Sequence, residues 1–487
     1  MSRCLFATLV SFSLLAGAPN SARAQIPDHP SKLEFRELAY NPPKPADHRT
    51  QLSNGMIVYI QEDHLLPTLD VSTIIRTGTI ADPRDKVGLA AMTGAVMRTG
   101  GTTGISGDDL DERLAFLGAS LETSIRETSG TASLSVLVKD TDEGLRLLAD
   151  VLMNPAFAEE KIRLYKDERI QAIKSKNDQP RSVLEREFAK VLYGDHPVTW
   201  EETQRSINSI TRDDLLAFHK KFFAPNNMIL AVAGDFDKAE MLKRIEAAFA
   251  KWPQKVVPVP AVADVPVLDR PGVFMVQKEI NQGYVNVGHL GIKDTNPDIF
   301  PIWIMEFILG SGSFTSRITS KVRSDEGLAY NTGCRFANRH LIPGTFYGYV
   351  QTKSPTVPYA ISLILNEFRR IQNEPVTDAE METAKSYYLD SFPNQFSTPI
   401  GTMSAFARLE YDAFPMDYYE TYRDKIEKVT KADVMRVAKQ YLRPDKMTIF
   451  VVGDIEPCKA GYDKHPGRLE DLGPLTVIEL KDPLTGE

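Results

Sequence analysis

The sequence predicts an α+β protein built from two duplicated sheet-plus-helix domains joined by a Pro-rich linker. A repeated segment, a proline cluster near the middle of the chain, and strand-type alternation interleaved with amphipathic helices all point to it. Residues 210–236, ITRDDLLAFHKKFFAPNNMILAVAGDF, align without a gap on residues 429–455, VTKADVMRVAKQYLRPDKMTIFVVGDI. In each copy a threonine (Thr211, Thr430) precedes an aspartate three residues on (Asp214, Asp433), a helix N-terminal capping pattern. An amphipathic helix, a proline (Pro225, Pro444) and an apolar strand ending in Gly-Asp follow. Upstream, residues 154–170 parallel residues 374–390 more loosely. Five prolines within 253–272 forbid a helix or a central strand there.

Taken in order, the chain opens with Arg3, an apolar run CLFATLVSFSLLAGA, and small residues at Ala22 and Ala24. That pattern predicts a signal peptide over 1–24, hence export, in a bacterial setting to the periplasm. The run is shorter than the ~20 apolar residues that a membrane span needs, and no later segment is apolar enough to span. Residues 25–49, rich in proline and charge, read as an extended N-terminal arm. The first domain is assigned to 50–252, the linker to 253–272 and the second domain to 273–487. Asn54-Gly55 signals a hairpin before MIVYIQED, and DVSTIIRTGT and SGTASLSVLVKD alternate as strands. YVNVGHLGI, AYNTGCRFANRH and TFYGYVQTK play similar parts in the second half, with a helix over VPYAISLILNEFRRIQNE. The tail after Cys458 carries no motif, and its VIEL segment reads either as a short strand or as packing on the second half.

Composition narrows the function classes. The 487 residues are 42% hydrophobic and 25% charged, with a formal net charge of −8, which excludes disordered and collagen-like chains. No basic stripe exists to neutralise phosphates, so a nucleic-acid partner is not expected. Cys4 leaves with the signal peptide, and Cys334 and Cys458 remain. In an oxidising compartment one disulfide between them is permitted but not required, and two buried thiols serve equally well. The histidines (His29, His48, His64, His196, His219, His289, His340, His465) show no i, i+3 or i, i+4 pair and no tight cluster. Gly-x-Ser-x-Gly, a Walker loop and Cys-x-x-Cys are all missing.

The stretch LSNGMIVYIQEDHLLPTLDVSTIIRTGTIADPRDKVGLAAMTGAVMRTGG resembles the start of the pitrilysin/insulinase-type zinc metallopeptidases, a family that includes the mitochondrial processing peptidases. The Asn-Gly hairpin, the Gly78…Asp82-Pro83 turn and Gly88-Leu89-Ala90 fall in the family's order, and the resemblance covers most of 50–455. Active members carry His-x-x-Glu-His after Gly-Leu-Ala, two histidines gripping zinc and a glutamate activating water. Here Ala91 and Ala95 stand at the histidine positions, Gly94 at the glutamate, and Ala172 at the third ligand. Methyl groups have no lone pairs, so the expectation is no metal at these positions and no zinc peptidase site in this chain.

The second half differs. Gly310–Arg317 leads into Lys321–Tyr330, which resembles the family's second-domain signature, an arginine followed seven residues later by a tyrosine after Gly-Leu-Ala. The resemblance assigns Arg323 and Tyr330 to peptide binding and oxyanion support, the guanidinium as a planar fork of donors and the phenol as a hydroxyl donor. The plain alternative is an Arg323 ion pair with Asp325 or Glu326 and a Tyr330 that starts a strand. A candidate peptide-binding edge strand is Leu121, Glu122, Thr123 and Ser124, where active relatives add substrate as an extra strand. The resemblance implies a non-catalytic subunit of a heteromeric zinc metalloendopeptidase. It supplies Arg323 and Tyr330 in trans to a homologous, zinc-bearing partner that cleaves peptides or unfolded segments. The alternative is a purely structural scaffold or binding subunit, and a third is a self-sufficient enzyme with an unrecognised site.

Overall fold

Gly55 takes a positive φ of 83°, and Asn54 Oδ1 accepts the Met56 N–H at 3.2 Å, closing the first turn. The turn joins β1 (Arg49–Gln51) to β2 (Ile57–Glu62) as an antiparallel pair. The computed structural model describes residues 29, 32–33, 40–259, 262–266, 269–462, 464–465 and 467–487. The signal peptide expected at 1–24 lies outside the described residues. The arm expected over 25–49 is not extended at its described end. Pro45–His48 form one helical turn, with proline at the position where its missing N–H does no harm, and Arg49 already belongs to β1.

Among the described residues two six-stranded sheets form. The first adds β3 (Thr68–Ile75), β4 (Ser120–Ile125), β5 (Gly130–Leu137) and β6 (Met228–Gly234), in the order β1-β2-β6-β3-β5-β4. The second contains β7 (Gly272–Gln277), β8 (Gln282–Leu290), β9 (Thr332–Ala337), β10 (Thr345–Lys353), β11 (Thr448–Gly453) and β12 (Leu475–Val477). Its order is β12-β7-β11-β8-β10-β9, so strand two onward repeats the first sheet's order. The parallel pair β2/β6 recurs as β7/β11. The duplicated helices are Arg212–Phe222 and Lys431–Tyr441, both with capping boxes closed by Thr211 with Asp214 and Thr430 with Asp433. The described residues of the proline-rich stretch form no helix or strand until Gly272 opens β7.

The two halves exchange helices. β6 and β11 are buried along their whole length, as their unbroken apolar runs require when both faces are covered. On β2, Val58 and Ile60 face the core of their own half, while Tyr59 is buried against Phe406 with ring centroids 5.9 Å apart. Phe406 belongs to the helix Pro399–Tyr411 of the second half, which lies across β2, β3 and β6. Its Glu410 accepts from Tyr59 Oη (2.6 Å) and from both Nε and Nη2 of Arg49 (2.9 and 2.8 Å). Reciprocally, the first-half helix Pro180–Tyr193 packs Val183, Leu184, Phe188 and Val191 against Val276, Phe450 and Val452 of the second sheet. Tyr193 Oη donates to the Pro343 carbonyl at 2.9 Å.

The tail strand is Leu475–Val477, placed just before most of the expected VIEL, and it pairs parallel with β7. The chain then returns to the first half, where Leu484 packs on the core and its carbonyl accepts from Gln204 N–H at 2.9 Å. Cys334 and Cys458 are both buried free thiols, and burial pushes Cys458 up to about 12. No helix among the described residues is long and apolar enough to cross a membrane.

Phe406 is fully buried between the halves. Phe406→Ala is expected to lower unfolding stability by about 3–5 kcal/mol, read as a lower urea midpoint with an unchanged folded-state circular dichroism spectrum.

Candidate functional site

The Leu89–Thr99 helix begins at Gly88, which takes a φ of 104°. Asp82 caps it from outside the helix, its carboxylate accepting the Gly88 and Ala90 N–H groups at 2.9 Å each. Burial pushes the Asp82 carboxyl up to about 7 against the pull of those two donors. Ala91 on this helix and Ala172 on the Glu159–Lys174 helix line one cavity of about 520 Å³. Ala95 sits one turn further on and does not line it.

Several charges at the cavity wall are paired with one another. Arg169 bonds Glu202, while Glu201 takes Lys190 at 2.5 Å, Arg186 at 2.9 Å and Lys176 at 3.5 Å. Burial would raise the Glu201 carboxyl, but Lys190, Lys176 and Arg186 outweigh it and hold it below the usual carboxylate range.

Gly94 faces β4. A Cβ built there would meet the backbone of Ser124 at 2.7 Å and crowd the Ile125 nitrogen still more. The Thr123 hydroxyl fixes this approach by donating to the Gly94 carbonyl at 2.6 Å. Of the candidate edge residues, Leu121 and Thr123 are buried, Ser124 bonds Thr131 (2.9 Å), and Glu122 is exposed with Arg98 at 3.6 Å. Among the described residues β4 is the outermost strand of its sheet and pairs with β5 alone.

In the second half, Arg323 lies on a π-helical turn over Ser320–Asp325. Gly327, with φ of 64°, then turns the chain toward Tyr330. The guanidinium is sandwiched between the rings of Phe314 and Tyr330, 4.2 Å from each centroid, and Nη1 donates to the Tyr330 carbonyl at 3.4 Å. Asp325 and Glu326 are not its partners, because Lys321 takes both, at 3.6 and 3.0 Å. Tyr330 does not start a strand either, since β9 begins at Thr332. Tyr330 is 82% and Phe314 60% exposed, so the stack is displayed at the surface. Phe314 was missed in the sequence because nothing there marks it as a neighbour of Arg323.

The signature loop beneath the stack is anchored by Arg317, whose Nε and Nη2 bond Glu380 at 2.6 and 2.9 Å. Burial would raise the Glu380 carboxyl, but the Arg317 fork and the Thr377 N–H outweigh it and lower it to about 2.

Residues 57–201 match Insulinase (Peptidase family M16), and residues 209–388 match the Peptidase M16 inactive domain. The chain is an M16-family protein. The "Non-peptidase homolog YmxG" of Helicobacter pylori is 25% identical over 405 residues, 82% of this chain and 91% of that protein. An "Uncharacterized zinc protease ML0855" of Mycobacterium leprae is 25% identical over 323 residues, 63% of this chain and 69% of that one. A solved M16 inactive domain from Pseudomonas fluorescens superposes with a TM-score of 0.74 at 23% identity, covering 83% of this chain and 97% of that chain. A protease from Helicobacter pylori superposes with a TM-score of 0.74 at 18% identity, covering 85% and 100%. These structural likenesses establish the fold, with its two sheet-plus-helix domains.

The zinc of active M16 peptidases does not fit the residues present here. Ala91, Ala95 and Ala172 offer methyl groups where donors are needed, and the β4 backbone leaves no room for a side chain at Gly94. These positions therefore provide no donor set for a catalytic zinc.

Gly94→Glu is expected to destabilise the fold by about 1–3 kcal/mol or more through overpacking, read as a lower melting temperature, and the combined Ala91→His, Gly94→Glu, Ala95→His, Ala172→Glu chain is expected to cleave no peptide. The Arg317–Glu380 pair contributes stability that is complete above the ordinary carboxylate value of 4.5 and lost as pH falls through about 2. Glu380→Gln is expected to lose about 3–5 kcal/mol near neutral pH and to show a shallower decline through that acid window in urea titrations.

Proposed function

We propose that this M16 protein is the non-catalytic subunit of a heteromeric zinc metalloendopeptidase. In this reading a homologous partner holds the zinc, which supplies the activated water, and this chain presents Arg323 and Tyr330 to the bound peptide. The observation that carries the proposal is the exposed sandwich of Arg323 between Phe314 and Tyr330, beside a first half stripped of its zinc donors.

The stack suits that work. Two aromatic faces hold the guanidinium without neutralising it, so its N–H edges remain donors for peptide carbonyls. An exposed phenol hydroxyl can donate to the oxygen that gains charge as the scissile carbonyl is attacked. Neither residue lines the first-half cavity, which fits a role toward another chain. The name of the Helicobacter pylori relative, a non-peptidase homolog, supports a subunit without its own hydrolytic site. The outermost strand β4 is the candidate site for an extended peptide, with Leu121 to Ser124 tuning specificity. Substrates are then short or unfolded, because only an extended chain can add to a strand edge. The charged, apolar and small-residue pattern at the N-terminus supports export to the periplasm. A purely structural scaffold gives no reason for a displayed cation–aromatic stack.

The isolated chain is expected to cleave no peptide whatever divalent metal is supplied, and to gain activity when mixed with a zinc-bearing homologue. Tyr330→Phe and Arg323→Ala are each expected to lower kcat of the complex by about 10²-fold while the complex still co-elutes in size-exclusion chromatography. Unchanged turnover in both variants would refute the role in trans and leave the scaffold reading.

A further inference from the structure

Three side chains distant in sequence meet at the C-terminal end of the crossing helix Pro399–Tyr411. Asp294 follows β8, His340 lies in the loop between β9 and β10, and Asp412 caps the helix. One metal-ligating atom from each lies within 4.8 Å of the other two. His340 Nδ1 is 2.9 Å from Asp294 Oδ1, and the His340 ring packs edge-on against Phe414. The two loops are held in register by the Asp294 N–H, which donates to the Arg339 carbonyl at 3.0 Å.

Asp412 is the telling residue. It is 6% exposed, and its Oδ2 accepts from Arg408 Nε at 2.5 Å. Its Oδ1 is buried with no hydrogen-bond partner. A buried carboxylate oxygen left without a donor is costly, and native proteins supply a partner for such atoms.

We propose that Asp294, His340 and Asp412 bind a first-row divalent cation of the zinc or manganese class. One imidazole with two carboxylates is a donor set suited to those ions, and the cation supplies the partner that Asp412 Oδ1 lacks. Arg408, bonded to the other Asp412 oxygen, and Phe414, packed on the ring, orient the ligands from behind. The site ties β8 and the β9–β10 loop to the helix that covers the first sheet. Arg339, beside His340, pairs with Glu127 of the first half, and Tyr411, beside Asp412, donates to the Thr128 carbonyl. The cation is therefore a structural staple at the junction of the halves and has no part in peptide hydrolysis.

The test uses the full chain, stripped with chelator and dialysed against Zn²⁺ alone and Mn²⁺ alone. Bound metal and melting temperature are then measured. The expected result is one equivalent of at least one of these ions and a higher melting temperature. His340→Ala and the partly exposed Asp294→Asn are each expected to weaken uptake by about ten-fold or more and to remove the thermal shift while the circular dichroism spectrum is retained. Failure of both ions to bind stoichiometrically, or uptake that survives in a folded variant of either residue, would overturn the assignment. Asp294→Asn keeps the test decisive if His340→Ala does not fold.

Discussion

The exchange of helices between the halves is the constraint on which the rest of the structure depends. Each sheet has a central strand, β6 or β11, buried on both faces. Its own helices cover one face only. The other is closed by a helix from the opposite half, Pro399–Tyr411 over the first sheet and Pro180–Tyr193 over the second. Removing either half would uncover a face of continuous apolar strand in the other. Polar bonds then fix the docking. Glu410 collects Tyr59 and Arg49 in partly buried surroundings, where charge-assisted bonds are stronger than at a wet surface.

That rigid frame explains how a family scaffold persists without its metal chemistry. In the first half, Gly94 allows the Leu89–Thr99 helix to lie directly against β4, and Thr123 bonds its carbonyl. Glycine is thus not a passive vacancy but the residue that this close approach requires. At the neighbouring cavity, Glu201 and Glu202 pair with four basic side chains. In the second half the signature loop is kept in place by the Arg317–Glu380 fork, and its tip displays a cation between two rings. In the first half Gly94 serves close packing, while the second half displays a cation and two aromatic rings outward.

Much of this follows from local chemistry in the chain. The Asn54-Gly55 turn, the threonine-led capping boxes at Thr211 and Thr430, and the strands around Val58, Ile74 and Val451 are set by residues within a few positions of one another. The repeat announced two similar sheets, and the order of their strands agrees. Alanine at 91, 95 and 172 is likewise a fact of composition, because a methyl group cannot ligate in any fold. The arginine and tyrosine of the second half sit seven residues apart, so a single turn brings them together.

What required the folded chain are contacts between segments far apart along it. The crossing helices look like any amphipathic helix, since periodicity tells which face is apolar but not whose sheet it meets. The return of the tail to the first half depends on where Leu484 finds an apolar surface. Phe314 against Arg323, the closeness of Gly94 to β4, and the meeting of Asp294, His340 and Asp412 are juxtapositions that no spacing encodes. Local sequence fixes dihedral preferences and the chemistry each residue can offer. Only the joint burial of both sheets decides which of those groups become neighbours, because that is where long-range packing outweighs local preference.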